Sequence, residues 1–135
     1  MPTATGTFEV RLDPQGDNGQ ESAFIGRLII DKQFRGDLEG TSKGQMLSAA
    51  GYVPESAGYV AIERVTGTLH GKSGSFVLQH NGTMNRGAPQ LTISVVPDSG
   101  TSELEGLAGN MEILISEGGH SYSFTYTLGI LSNDA

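Results

Sequence analysis

Glu63 and His80 are the residue types in this sequence most ready to do acid–base chemistry together. They lie in GYVAIERVTGTLHGKSGSFVLQHNGTM, from Gly58 to Met84, which reads as two strands around a glycine-flanked turn. With Lys72 and Ser73 in the turn between Gly71 and Gly74, His70 faces Ser75, Val65 faces His80 and Glu63 faces Gly82. Side chains alternate along a strand, so Tyr59, Ala61, Glu63, Val65 and Leu69 share a face with Phe76, Leu78, His80 and Met84. Glu63 and His80 then become diagonal neighbours, roughly 7 Å apart at Cβ. A carboxylate beside an imidazole sets its tautomer and raises its basicity, as general acid–base chemistry requires. A satisfied interior hydrogen-bond network that only fixes strand register is the simpler account, because buried polar groups are ordinarily paired for stability alone.

The elements that must position this pair all read as strands. Strand 1 spans Ala4 to Leu12, with Phe8, Val10 and Leu12 alternating against Thr7, Glu9 and Arg11. Asp13 to Glu21 is a loop by its turn residues. Strand 2, Ala23 to Phe34, sets Phe24, Leu28, Ile30 and Phe34 against Arg27, Asp31 and Gln33. Strand 3 covers Asp37 to Ala49, strands 4 and 5 form the hairpin, and strand 6 runs from Gln90 to Pro97. Strand 7 spans Leu104 to Ile115, where a short helical turn between Ser102 and Gly109 is the alternative to its first residues. Strand 8 runs from His120 to Ile130. Period 2 fits each segment better than 3.6. Eight sequential antiparallel strands with short connections predict an all-β fold, a closed eight-stranded barrel that leaves no exposed edge. A two-sheet sandwich would use the same alternation. The small residues Gly40, Ser42, Gly44 and Ala61 suggest interior space for one small ligand.

In strand 8, His120, Tyr122, Phe124 and Tyr126 share the expected interior face. Tyr122 and Tyr126 are expected to direct hydroxyls toward the cavity of Glu63 and His80, with Tyr59 near its rim. The three tyrosines are the candidate ligand-binding residues. Asp98, in Asp-Ser-Gly-Thr at 98–101, is the alternative catalytic candidate. This run resembles the signature of aspartic peptidases, in which two aspartates share a proton around one water. The signature occurs once here, so a second carboxylate must come from elsewhere in the chain or from a homodimer. Pro97 before Asp98 favours a hairpin turn instead, with Asp98 capping amides near Gly100 or Thr101.

Composition narrows the classes. The 135 residues suit one domain, 1–135, and contain no cysteine, which excludes disulfides, thiolate catalysis and a cysteine-based zinc site. A net charge of −7 and scattered basic residues argue against nucleic acid. No run approaches the roughly 18 apolar residues of a membrane helix. The start, MPTATGTFEVRL, lacks a signal-peptide pattern, and the expected location is cytoplasmic. Glycine, at 20 residues, is spread along the chain as turns and strand kinks would require.

Other motifs lead to no site. Gly71, Lys72 and Ser73 resemble the end of a phosphate-binding loop, but Thr66 stands where that motif needs glycine and no helix follows. Asn81-Gly82-Thr83 fits a glycosylation sequon without a secretory signal. With His70 in a turn, the three histidines do not predict a metal site, and the acids around Asp13 offer calcium at most a weak one. No cofactor is expected. Outward-facing apolar residues, Ile25, Ile29, Val60, Ile62 and Val96, predict self-association, a two-fold homodimer being the commonest form.

The segments KQFRGDLEGTSKGQML, AGYVAIERVTGTLHGKSGSFVLQHNGTM and LTISVVPDSGTSELEGLAG resemble an uncharacterised bacterial domain family grouped with the allene oxide cyclase-like barrels. The resemblance covers Ala4 to about Leu128 and implies an eight-stranded barrel. It implies no settled activity. Allene oxide cyclases close an apolar epoxide inside their barrel, but none of their catalytic residues is matched here by motif, and shared architecture does not carry chemistry across. Three readings follow: a barrel binding a small, partly apolar ligand, an enzyme (a barrel isomerase or cyclase using Glu63 and His80, or a peptidase using Asp98), and a structural protein with a filled core.

Overall fold

The computed structural model describes residues 1–15 and 25–128. Alternating apolar side chains place eight strands in one antiparallel sheet: β1 (Thr3–Pro14), β2 (Ile25–Gly36), β3 (Leu38–Ala50), β4 (Ala57–Leu69), β5 (Lys72–Asn85), β6 (Ala88–Val95), β7 (Ala108–Ser116) and β8 (Gly119–Thr127). Each strand pairs with its neighbours in sequence, and β1 pairs with β8 to close the barrel. The expected start of strand 2 at Ala23 and Phe24, most of the expected loop, and the end of strand 8 at Ile130 lie outside the described residues. Asp13 and Pro14 continue β1 opposite Ile29 and Leu28 instead of opening a loop.

The β4–β5 hairpin differs from the sequence expectation in register. Its turn is His70-Gly71, with φ of 47° and 82°, and Leu69 faces Lys72. Positive φ at both central residues is the type I′ geometry whose twist matches the flanking strands. Ala61 therefore faces His80 and Glu63 faces Leu78. The shift is by an even number of residues, so every side chain keeps its expected face. Glu63 and His80 remain diagonal neighbours, with His80 on the other side.

One half of the barrel is filled. Phe34, Leu38, Val65, Leu69, Phe76 and Phe124 are buried there, with Phe76 and Phe124 stacked at 5.8 Å between centroids. Between β6 and β7 the chain makes a 3-10 turn at Ser102–Leu104, so β7 begins later than the longer strand expected. Leu104 and Leu107 from this connection are buried in the core and close that end. Burying one such side chain contributes about 1.5–3 kcal/mol. The connection runs along β5: Thr101 N–H donates to Ser75 O (2.9 Å), and Ser75 N–H donates to Thr101 Oγ1 (3.0 Å). β6 and β7 themselves share a single register pair, Ser94 with Asn110.

Candidate functional site

Four strands carry charged or polar side chains inward at one level. On β2, Lys32 lies between Ile30 and Phe34 in the inward alternation and is 5% exposed. Ser42 on β3 pairs with it, Glu63 comes from β4 and His80 from β5. The Glu63 carboxylate is completely buried and gathers the others. Oε2 accepts from Lys32 Nζ at 2.9 Å and from His80 Nε2 at 2.5 Å, and Oε1 accepts from the Ser42 hydroxyl. Burial alone would push this carboxyl up. The His80 hydrogen bond, the charges of Lys32 and His80, and the Ser42 hydroxyl outweigh it and hold Glu63 down at about 2.

Glycine makes this approach feasible. Gly44 faces Glu63 across the β3–β4 ladder, and a Cβ there would stand 2.0 Å from Ile62 O and 2.5 Å from Glu63 Cα. Gly40 is likewise closed by Thr66 O at 2.2 Å. The missing side chains at both positions permit close strand contact and do not open a cavity, contrary to the expectation of interior space there.

The cavity lies on the other side of the polar layer, in the open half of the barrel. It measures about 540 Å³, and Leu12, Ile30, Met46, Met84, Leu91 and Ile113 are among its walls. Lys32, His80 and His120 border it, with Tyr59 at the side. Tyr59 Oη lies 3.3 Å from His80 Nδ1, and its ring occupies the space a Gly82 side chain would take. The ionised Glu63 only accepts, so His80 carries a proton on Nε2, and its Nδ1 lies against the proton-bearing hydroxyl of Tyr59. Burial, then the Glu63 charge, raises the Tyr59 phenol above its ordinary range, which keeps that proton in place. His120 stacks on Phe8 at 5.0 Å, and Lys32 Nζ lies 4.9 Å from the centre of the same ring.

Tyr122 and Tyr126 face inward but belong to the filled half, not to this cavity. The Tyr122 hydroxyl accepts the Leu38 N–H at 2.9 Å and shares its own proton between Leu38 O (3.0 Å) and Arg35 O (3.1 Å). The Tyr126 hydroxyl meets His70 Nδ1, and His70 Nε2 lies 3.5 Å from Asp37 Oδ2. Both tyrosines therefore tie turns at the closed end. Asp98 is exposed in the turn after β6, with φ of 62°. It does not cap the nearby amides as expected; Ser99 Oγ and Thr101 Oγ1 instead accept the Val77 and Ser75 N–H groups of β5.

Among the described residues, no three His, Asp or Glu side chains are grouped to hold a metal ion, and no helix is long and apolar enough to cross a membrane. Lys32 is the member of the site that sequence reasoning missed. Its position between Ile30 and Phe34 in the period-2 pattern was the available signal.

The profile of a family described as a protein of unknown function (DUF3224) matches residues 4–126. A crystal structure of a protein with unknown function from the DUF3224 family of Shewanella oneidensis MR-1 is 47% identical in sequence. The alignment covers 96% of this chain and 98% of that one, with a TM-score of 0.89. No curated protein matches.

Proposed function

The chain belongs to the DUF3224 family of unknown function, and from that premise, which supplies a barrel but no chemistry, we propose that it binds a small, partly apolar ligand in the open half of the barrel. One observation carries this reading: a cavity of about 540 Å³ with apolar walls ends on a hydrogen-bonded layer of Lys32, Glu63 and His80. Volume in this range, apolar walls and a few convergent polar groups characterise small-molecule sites. Tyr59 is the candidate tyrosine that borders this cavity, and it supports the reading through its contact with His80. The test is titration with an environment-sensitive naphthalene sulfonate dye, comparing the protein with Met46→Trp, which fills the cavity. Binding should be lost in the variant while its circular dichroism is retained. Equal dye binding by the two proteins would overturn the reading.

The same geometry supports a second use, in a barrel isomerase or cyclase of the allene oxide cyclase-like kind. His80 borders the cavity, its Nε2 proton is held by Glu63, and its Nδ1 lies 3.3 Å from the Tyr59 hydroxyl. Turnover of an apolar epoxide that His80→Gln abolishes would support that use, and binding without turnover would dismiss it.

A further inference from the structure

We infer that the ligand carries a carboxylate on an apolar body and seats with the carboxylate against Lys32 and His120, a deepening that rests on the ligand-binding reading above. The argument is the balance of donors and acceptors around the cavity. Both Glu63 oxygens are already occupied, Oε1 by Ser42 and Oε2 by Lys32 and His80. Glu63 is completely buried within the polar layer and does not border the cavity. Lys32 has three N–H donors, and a single hydrogen bond, to Glu63, is formed among the described residues. The Phe8 and Phe34 rings, 4.9 and 5.3 Å from Nζ, accompany the ammonium without accepting a conventional hydrogen bond.

His120 adds a second donor. Its ring is stacked on Phe8, it borders the cavity, and it forms no hydrogen bond among the described residues. The chain as a whole carries a net charge of −7, yet among the described residues the cavity is bordered by one lysine and two histidines and by no Asp or Glu. The Tyr59 hydroxyl lies against His80, and the other polar side chains bordering the cavity, Ser48, Thr83 and Gln90, are uncharged and both donate and accept. A headgroup that accepts several hydrogen bonds completes this set, whereas an ammonium headgroup would meet Lys32 as a like charge. The opposite end of the ligand meets Leu12, Met84, Leu91 and Ile115, apolar residues that remain exposed at the mouth.

The experiment is calorimetric titration with decanoate, methyl decanoate, decanol and decylamine, which share an apolar chain and differ in headgroup. Decanoate should bind at least about tenfold more tightly than each of the others. His120→Phe preserves a ring on Phe8 and removes the N–H, so it should weaken decanoate binding more than decanol binding and narrow that preference. Lys32→Met combined with Glu63→Gln removes the ammonium without stranding a buried charge and should reduce the preference further. Equal binding of all four compounds, or a tighter methyl ester or amine, would overturn the carboxylate inference and leave the ligand-binding reading standing. Failure of all four to bind, together with loss of the dye signal, would overturn both.

Discussion

Replacing Glu63 with Gln tests the polar layer most directly, because it preserves shape and removes only the capacity to ionise. In the native protein the carboxyl is held at about 2 against its ordinary 4.5. A folded value below the unfolded one contributes stability that is fully present above the unfolded value and lost as pH falls through the folded one. The separation corresponds to about 3 kcal/mol at neutral pH. Because Glu63 is completely buried, solvent screening does not diminish this contribution as it would at the surface. Glu63→Gln also leaves the Lys32 ammonium, 5% exposed, without its counter-charge, and removing one partner of a buried pair costs about 3–5 kcal/mol. Urea unfolding followed by circular dichroism, at neutral pH and at steps down to about pH 2, measures both effects. The gap between native protein and variant should be largest at neutral pH and narrow between about pH 4.5 and 2, where the native carboxyl becomes protonated. Adding Lys32→Met should recover at least half of the neutral-pH loss. A gap that stays constant with pH, or a cost below about 1 kcal/mol, would refute this account of the layer.

Other perturbations address the rest of the molecule. Tyr122→Phe removes the hydroxyl shared by Leu38 and Arg35 and should lower stability by about 1–3 kcal/mol in the same assay, without changing dye binding. Gly44→Ala forces a Cβ to within 2.0 Å of Ile62 O, so the β3–β4 ladder must part; the variant should unfold at markedly lower urea or fail to accumulate as folded protein. Ile25, Val60 and Ile62 are about half exposed on the outer face, and sedimentation at micromolar concentration checks the self-association expected from them. A dimer mass that reverts to monomer on Ile62→Lys is the expected result, and a monomer at all concentrations dismisses it.

Period-2 alternation made the barrel legible, and with it which side chains face inward. It placed Glu63 and His80 on one interior face even though the hairpin turn was assigned to Lys72-Ser73 instead of His70-Gly71, because the error was an even number of residues. Alternation does not report height along the barrel axis, which depends on strand tilt and stagger. That is why Tyr122 and Tyr126, correctly expected to face inward, lie in the filled half, away from the cavity. Lys32 went unread for a different reason. A lysine is rarely buried unless paired, and its partner lies on β4, two strands away, a contact made across β3 on the inner side of the sheet. The Asp-Ser-Gly-Thr run was legible as a turn, but its hydroxyl bonds to β5 depend on where the chain passes after leaving β6.

The single register pair between β6 and β7 has a consequence for how the barrel breathes. Every other neighbouring pair forms an extended ladder, so thermal opening should concentrate at this join. Amide hydrogens of β6 and β7 should exchange with solvent sooner than those of β3 and β4. Leu91 on β6 and Ile113 on β7 also border the cavity, so its most yielding wall coincides with the join. Sideways parting of these two strands would widen the chamber while leaving the buried Lys32–Glu63–His80 layer, anchored on β2, β4 and β5, intact.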